Sequence, residues 1–425
     1  MANRDHEKRG FALGLCLIVL LVLVLGTGGT IVWRAERAAK AAMLEQSMQT
    51  PTDIPAPSVS ELETPAIQPE PLPEPEPEPL PEPEPEPEPE PARVTLMALG
   101  DNLIHNSTYW SMELPEGGYD FTSIYTEIAK TVEHYDIACI NQETALVADR
   151  ALIDNYPSFG TPQEAGDALA AAGFDVITQA TNHCFDKGDT GILDSIRFWR
   201  EHYPEITLLG IHDSQEDADA VHVVEKNGIR IAMLNYTYGM NAGAPQNAYM
   251  VDRFDTYDNV AADIATAKEQ SDFVIVFAHW GEEDQTTPND YQRNWAQFMA
   301  DEGVDLIIGS HPHILQPLET VTGKNGNEVP VFYSLGNFFS HQLSVTGMLG
   351  GMASVTIEKD ANGTHLVSYD LVPTMNVIIR RASDGWFDYC PMLLQDYTDE
   401  IAATHRIEEC RDAQKMWELY HSIVG

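Results

Sequence analysis

The sequence has 425 residues and a formal net charge of −42, with 66 acidic and 24 basic side chains. This acidic excess argues against a nucleic-acid-binding surface, because neutralising phosphates requires a basic patch. Five cysteines in so long a chain also exclude a disulfide-rich scaffold, although a single bridge between Cys390 and Cys410 remains an open expectation.

The segment 11–33 is the first predicted element, an uncharged and strongly apolar run. A helix of about 20 apolar residues spans the hydrocarbon core of a bilayer. Arg4, Lys8 and Arg9 precede the run, which favours a cytoplasmic N-terminus at 1–10 and an extracytoplasmic remainder. We therefore predict a single-pass anchor in the cell membrane. The alternative is a cleaved signal peptide, whose apolar region is normally only about 7–15 residues long.

Residues 34–92 are predicted to be a disordered linker, rich in proline and glutamate that nearly alternate towards its end. Proline removes backbone donors and the glutamates repel one another, so we expect an extended polyproline II chain. At about 3.1 Å per residue, this chain would hold a folded domain away from the membrane. The remainder comprises a predicted domain at 93–375 and a helical extension at 376–425 that packs against it.

From residue 93 onward, short apolar runs alternate with helical patterns, which predicts an α/β architecture. Six of these runs lead into polar residues of metal-binding types. The runs are 94–99, 137–140, 176–180, 273–278, 306–308 and 331–335. Because ligands of open α/β sheets gather beyond the carboxyl ends of the strands, we expect the polar residues to meet at one rim.

The donors at this predicted rim are carboxylates, amides and imidazoles. That mixture suits Mn, Fe or Zn better than it suits a closed thiolate site. A single histidine of this kind would be explained more simply as a buried polar side chain with a hydrogen-bond partner. The repetition after several strands favours a metal site. The sequence contains neither a phosphate-binding P-loop nor a Gly-x-Ser-x-Gly nucleophile elbow.

Six segments resemble, in order and spacing, the bacterial CapA family within the calcineurin-like metallophosphoesterase superfamily. They are ALGDNLIH, INQETALV, ATNHCFDKG, FAHWGEE, DLIIGSHPHILQPLE and FYSLGNF. The resemblance implies a four-layer α/β/β/α sandwich of the metallophosphoesterase type with divalent metal ions, two in number, at one rim. It also implies a role in the synthesis or export of a poly-γ-glutamate capsule, with membrane proteins of a capsule synthase or exporter as partners.

The resemblance also assigns roles by position. The implied metal ligands are Asp101, Glu143, Asn182, His279, His311 and His313. Among them, Glu143 takes the position of a bridging acid, while Asn182, His279 and His311 would hold the second metal. His183 would lie beside the metals and donate a proton as the catalytic acid. Further metal or pocket candidates are His105, Asp186, Trp280 and Asn337, and for Trp280 a role in structural packing is equally open.

Two positions depart from the superfamily pattern. Leu103 stands where the first block has a metal-binding histidine, and His105 is the candidate to replace it. Cys184 stands where the third block has an acid, and Asp186 is expected either to orient His183 or to cap the following helix. Two functions therefore stay open. One is a metal-dependent phosphoesterase-like hydrolase, and the other is a non-catalytic accessory subunit that binds an anionic polymer at the metal pocket.

Overall fold

The structure is a computed structural model that describes residues 91–425. The predicted anchor at 11–33 and almost all of the predicted linker at 34–92 lie outside the described residues. Within the described part of the chain, none of the helices combines the length and apolar character needed to cross a membrane.

Eighteen strands and nine α-helices are assigned within residues 91–425. The strands are β1 Ala92–Asn102, β2 Ile137–Gln142, β3 Leu146–Val147, β4 Thr161–Pro162, β5 Val176–Thr178, β6 Thr207–Leu209, β7 His222–Lys226, β8 Ile229–Thr237, β9 Phe273–His279, β10 Leu306–Ser310, β11 Leu318–Thr322, β12 Glu328–Phe332, β13 Asn337–Phe339, β14 Leu349–Asp360, β15 Gly363–Met375, β16 Ile378–Arg380, β17 Phe387–Tyr389 and β18 Met392–Leu393. The helices are α1 Asn106–Ser111, α2 Thr122–Val132, α3 Glu164–Ala171, α4 Gly188–His202, α5 Gln215–Ala218, α6 Tyr257–Gln270, α7 Asp290–Glu302, α8 Asp399–Ala402 and α9 Ala413–Val424.

Two large sheets form the framework. The first has the order β18-β15-β14-β1-β2-β5-β6, and β13 also pairs with β1. Its strands β1, β2, β5 and β6 are parallel, whereas the long β14–β15 hairpin is antiparallel. The second sheet has the order β11-β12-β10-β9-β8-β7, with a parallel centre and antiparallel edges. In each parallel part, the carboxyl ends of the strands lie on one edge.

Strand β9 shows how the layers are arranged, because both of its faces are buried. Phe273, Ile275 and Phe277 join the core that also contains side chains of the first sheet. Val274 and Val276 join a separate core with apolar residues of α6 and α7. Since side chains alternate between the two faces of a strand, the second sheet lies between a layer of helices and the first sheet. The mixed α/β prediction is confirmed, and the helices lie outside the paired sheets.

The predicted strand 331–335 overlaps β12, which ends earlier than expected. β12 ends at Phe332 in the second sheet, and the chain then turns and pairs as β13 with β1 of the first sheet. Gly336 makes this crossing with φ of +62°. A Cβ on Gly100 would lie 1.9 Å from the carbonyl oxygen of Gly336. The two backbones approach so closely that only glycine fits at Gly100.

The extension 376–425 was predicted to be helical, but it also contains strands. β16 pairs with β17, and β18 pairs with β15 of the first sheet before the chain enters α8 and α9. Met416 of α9 is buried and belongs to the large hydrophobic core that includes the first sheet, so the extension packs against the sandwich. Among the described cysteines, Cys390 and Cys410 are both free thiols, which overturns the bridge that the sequence left open.

Candidate metal centre

Polar side chains from both sheets meet where the carboxyl ends of the parallel strands face one another. Every one of the six predicted ligands is at least 97% buried. Asp101 lies near the end of β1, Glu143 directly follows β2, and Asn182 follows β5. His279 ends β9, while His311 and His313 follow β10. His279 has the same alternation phase as Phe273, Ile275 and Phe277, which explains why it faces the first sheet.

One group of potential metal ligands consists of Asp101, Glu143 and His313. One donor atom from each lies within 4.8 Å of the others. His313 Nδ1 is 3.0 Å from Asp101 Oδ2, and His313 Nε2 is 3.6 Å from Glu143 Oε1. Asn141 Nδ2 donates to Asp101 Oδ1 at 2.8 Å and so orients that carboxylate. These three side chains present two carboxylates and one imidazole around a common point.

A second group shares Glu143 with the first. It consists of Glu143, His279 and His311, again with one donor atom from each within 4.8 Å of the others. His279 Nε2 lies 3.9 Å from Glu143 Oε1 and 2.9 Å from Asn182 Oδ1. Ser310 Oγ lies 2.9 Å from His279 Nδ1 and fixes the orientation of the ring. Glu143 thus lies between two sets of donors, in the arrangement that a bridging carboxylate requires.

The unpartnered atoms of the site fit divalent cations. Both carboxylate oxygens of Glu143 and Nδ1 of His311 are buried and make no hydrogen bond within residues 91–425. An isolated buried carboxylate costs several kcal/mol unless a cation or donors compensate it. Burial also raises the pKa of Glu143 above its usual range and lowers the pKa of His311 to about 3. A neutral imidazole is the form that binds metals.

Backbone geometry contributes to the site in a way that the sequence analysis did not anticipate. His311 and His313 have φ values of +95° and +62°. Residues other than glycine rarely adopt this left-handed conformation, which costs about 1–3 kcal/mol per residue. The backbone N–H of His311 lies 3.2 Å from Asp101 Oδ2 and donates to this carboxylate. The strained turn therefore connects the two sheets through Asp101.

His183 lies next to these groups without belonging to either of them. Its Nδ1 is 2.6 Å from Asp186 Oδ2, which also accepts a hydrogen bond from the backbone N–H of Phe159. Burial opposes protonation, but Asp186 and Glu143 raise the pKa of His183 above its usual value. The N-cap of α4 is Lys187, without a side-chain cap. Asp186 therefore orients His183 and does not cap the helix.

The three remaining candidates have different environments. His105 is half-buried and packs against Phe159, with a ring-to-ring distance of 5.4 Å, and it is not among the grouped donors around Glu143. Nε2 of His105 makes no hydrogen bond within the described residues, and the expectation that His105 replaces the ligand missing at Leu103 stays a prediction. Trp280 is fully buried, and its Nε1 donates to Tyr333 O at 2.9 Å. Because Trp280 belongs to the core between the second sheet and its helices, it is not a pocket residue.

Asn337 does lie beside the site. It is the register partner of Asp101 in the β1–β13 pair, and its backbone N–H donates to His313 O at 3.2 Å. Its side-chain Nδ2 donates to Gln342 Oε1 at 2.8 Å. Asn337 therefore supports the turn that carries the histidines.

Three residues at the mouth of the site were not predicted from the sequence. Tyr238 and Asn241 follow β8, and Glu283 follows β9. The ring of Tyr238 lies 4.6 Å from that of His311, and Asn241 Nδ2 lies 3.4 Å from His183 Nε2. Glu283 forms a group with His311 and His313. The rule that ligands follow strands, applied to β8 as well, would have indicated the first two.

Comparison with known proteins places this geometry in context. Residues 95–342 match the family described as bacterial capsule synthesis protein PGA_cap. The PGA biosynthesis protein CapA of Bacillus subtilis is 35% identical over 185 residues, which cover 43% of this chain and 47% of that relative. The capsule biosynthesis protein CapA of Bacillus anthracis is 34% identical over 185 residues, covering 42% and 43%. The matched region thus spans less than half the length of either relative.

Among solved structures, the chain is similar to the calcineurin-like phosphoesterase YfkN from Bacillus subtilis. The sequences are 16% identical, and the TM-score is 0.40. The superposition covers 78% of this chain and 99% of that structure.

Proposed function

The chain belongs to the family of bacterial capsule synthesis proteins described as PGA_cap, and we propose that it hydrolyses phosphoesters in capsule synthesis or export with two divalent metals. The observation that carries the proposal is the buried Glu143 carboxylate, which makes no hydrogen bond within the described residues and is shared by two groups of donors. A carboxylate without a counter-charge destabilises a core, whereas the same carboxylate between two cations is compensated.

The described residues divide into two ligand sets. Asp101, Glu143 and His313 would hold the first ion. Glu143, Asn182, His279 and His311 would hold the second. When bound, such ions supply Lewis acidity and a nucleophilic water at neutral pH. Carboxylate, amide and imidazole donors are compatible with Mn, Fe and Zn alike.

His183 would supply the proton for the departing oxygen. Asp186 accepts from Nδ1, so Nε2 is the nitrogen that faces the open side of the site, where Asn241 lies 3.4 Å away. Asp186 also stabilises the protonated imidazole, which is the form that can donate. A positioned acid of this kind contributes about 10²–10⁴-fold to the rate. Tyr238, which is 40% exposed, would form the wall that the substrate passes.

A second function is favoured by one feature of the first ligand set. Leu103, which is 1% exposed, contributes an apolar side chain at the position where the superfamily pattern has a histidine. A first metal held by fewer protein ligands would bind more weakly, and weaker binding would compromise hydrolysis more than it compromises ligand capture. In this alternative, the pocket holds an anionic polymer such as poly-γ-glutamate for a synthase or export complex and performs no reaction.

Placement at the cell surface is part of the proposal. The apolar segment 11–33 would anchor the chain in the membrane, and the linker 34–92 would hold the folded domain outside the cytoplasm. This location would place the site outside the cytoplasm. Membrane proteins of the synthase or exporter would be its partners there.

The test uses the full-length chain in detergent, stripped of metal and then supplied with Mn²⁺. We expect metal-dependent hydrolysis of a chromogenic phosphodiester and a loss of at least about 100-fold for His279→Ala, together with lost metal. His134→Ala is the matched control, because its side chain is 76% exposed. Metal binding without hydrolysis, combined with metal-dependent retention on immobilised polyglutamate, would replace the first function by the second. Absence of metal binding would end both.

A further inference from the structure

The first ligand set has fewer protein donors than the second. Asp101, Glu143 and His313 form it, whereas Asn182 adds an amide oxygen 2.9 Å from His279 in the other set. Leu103 has a hydrocarbon side chain and cannot donate to a cation. The first ion would therefore be held from one side only, unless the mouth of the site supplies another donor.

Glu283 lies at that mouth. One of its carboxylate oxygens lies within 4.8 Å of a ring nitrogen of His311 and of a ring nitrogen of His313. These two nitrogens also lie within 4.8 Å of each other. The Glu283 side chain is exposed, so it approaches the imidazoles from the solvent side. The other carboxylates of the centre, those of Asp101 and Glu143, are fully buried. Glu283 thus lies on the exposed side of the site, beside one histidine of each ligand set.

The loop that carries Glu283 is fixed at both ends to the strand and turn of the histidines. The backbone N–H of Trp280 donates to Ser310 O at 3.1 Å, and the N–H of Asp284 donates to Pro312 O at 3.0 Å. Gly281 turns the chain with φ of +94°, and a Cβ there would lie 2.8 Å from the Gln292 side chain. Glu283 therefore has a set position beside the imidazoles even though its side chain is exposed.

An exposed carboxylate near two histidines would not by itself indicate a ligand. The independent observation is the buried Glu143 carboxylate, which has no hydrogen-bond partner in the part of the chain that the structure describes. Asp101 and Glu143 lie 3.0 Å and 3.6 Å from the ring nitrogens of His313, and Glu283 has an oxygen within 4.8 Å of one of these nitrogens. Three carboxylates therefore converge on this imidazole, and hard oxygen donors of this kind suit a divalent cation.

We propose that Glu283 is a ligand of the first metal and supplies the donor that the Leu103 position lacks. The inference rests on the proposed two-metal site and adds to it a residue from the exposed loop. A carboxylate that reaches the ion from solvent has two consequences. The first ion binds more weakly than the second, and its affinity depends on a side chain whose removal leaves the core intact.

The experiment is a Mn²⁺ titration of the full-length chain in detergent, followed by elemental analysis and electron paramagnetic resonance. We expect two ions per wild-type chain with a spin-coupled signal. Glu283→Gln, which keeps size and removes charge, should lower the affinity of one site by more than about tenfold, because even residues that only support a ligand contribute about 10–100-fold. At a Mn²⁺ concentration that saturates the wild-type chain, this variant should hold about one ion with an uncoupled signal.

The controls separate this inference from the function on which it rests. Glu282→Gln removes the adjacent exposed charge, and His105→Asn removes the other candidate donor; both should keep two coupled ions. Two ions of unchanged affinity in Glu283→Gln would overturn the inference and leave the two-metal site standing. A wild-type chain that binds no Mn²⁺ would overturn the proposed function itself. Thermal melting of the metal-free variants should match that of the wild type, because Glu283 is exposed.

Discussion

The contact between Gly100 and Gly336 predicts that one added methyl group damages both the fold and the metal centre. In Gly100→Ala, the new Cβ would lie 1.9 Å from Gly336 O and 3.1 Å from two further backbone carbons. Overpacking of a core costs about 1–3 kcal/mol. Because backbone atoms on both sides must move, we expect the upper end, about 3 kcal/mol. At about 2–4 °C per kcal/mol, the melting temperature should fall by at least about 5 °C.

The same backbone displacement should also move the predicted metal ligands. Asp101 directly follows Gly100 and pairs in register with Asn337, whose N–H donates to His313 O. Moving β1 away from β13 therefore separates Asp101 from the histidine turn, and Mn²⁺ affinity should fall together with stability.

Calorimetry with and without Mn²⁺ measures both effects. Gly239→Ala is the matched control, because a Cβ there meets nothing within 4 Å. A Gly100→Ala protein that melts within about 1 °C of the wild type would refute the packing argument.

Three further predictions concern other parts of the molecule. Asp186→Asn should preserve the bound metal, because Asp186 is not a ligand. It should slow the hydrolysis of esters with poor leaving groups more than that of esters with good leaving groups, since Asp186 stabilises protonated His183. Equal slowing of the two kinds of ester in steady-state assays would argue against this role. Burial opposes the shift, but Asp252 and Asp217 raise the pKa of His212 to about 9. Protonated His212 therefore stabilises the folded state. This stabilisation is fully present below pH 6.5, the approximate pKa of a histidine in the unfolded chain, and is lost as the pH rises through about 9. Melting curves from pH 6 to 10 should show that loss in the wild type and not in His212→Gln. External protease on cells without a wall should release the folded domain by cutting within 34–92, and full protection would reverse the proposed topology.

Local sequence predicted much of the rim. All six predicted apolar runs overlap strands in the structure, because a short apolar run bounded by polar residues is typical of a buried strand. The donors also follow the ends of those strands, as the geometry of parallel sheets requires. His279 illustrates this: its distance from Phe273 along one strand sets which face it occupies.

Non-local packing decided the exceptions. The ring of His105 packs against Phe159, which lies far along the chain, and its role as a ligand stays a prediction. Trp280 follows a predicted ligand but is enclosed by helices of the second sheet. In each case the neighbours come from distant segments, so no pattern within a short window could identify them.

The sequence by itself determined the chemical character of this protein: an acidic chain with an apolar N-terminal run, a segment rich in proline and glutamate, and an α/β domain carrying metal-type donors after its strands. These are properties of composition and short periodicity, which neighbouring residues encode directly. The tertiary structure decided which donors share a site and which side of it stays open to Glu283. It also decided the crossing from β12 to β13. Those features depend on the distance between atoms that belong to different sheets, and that distance is set only when the two sheets pack face to face.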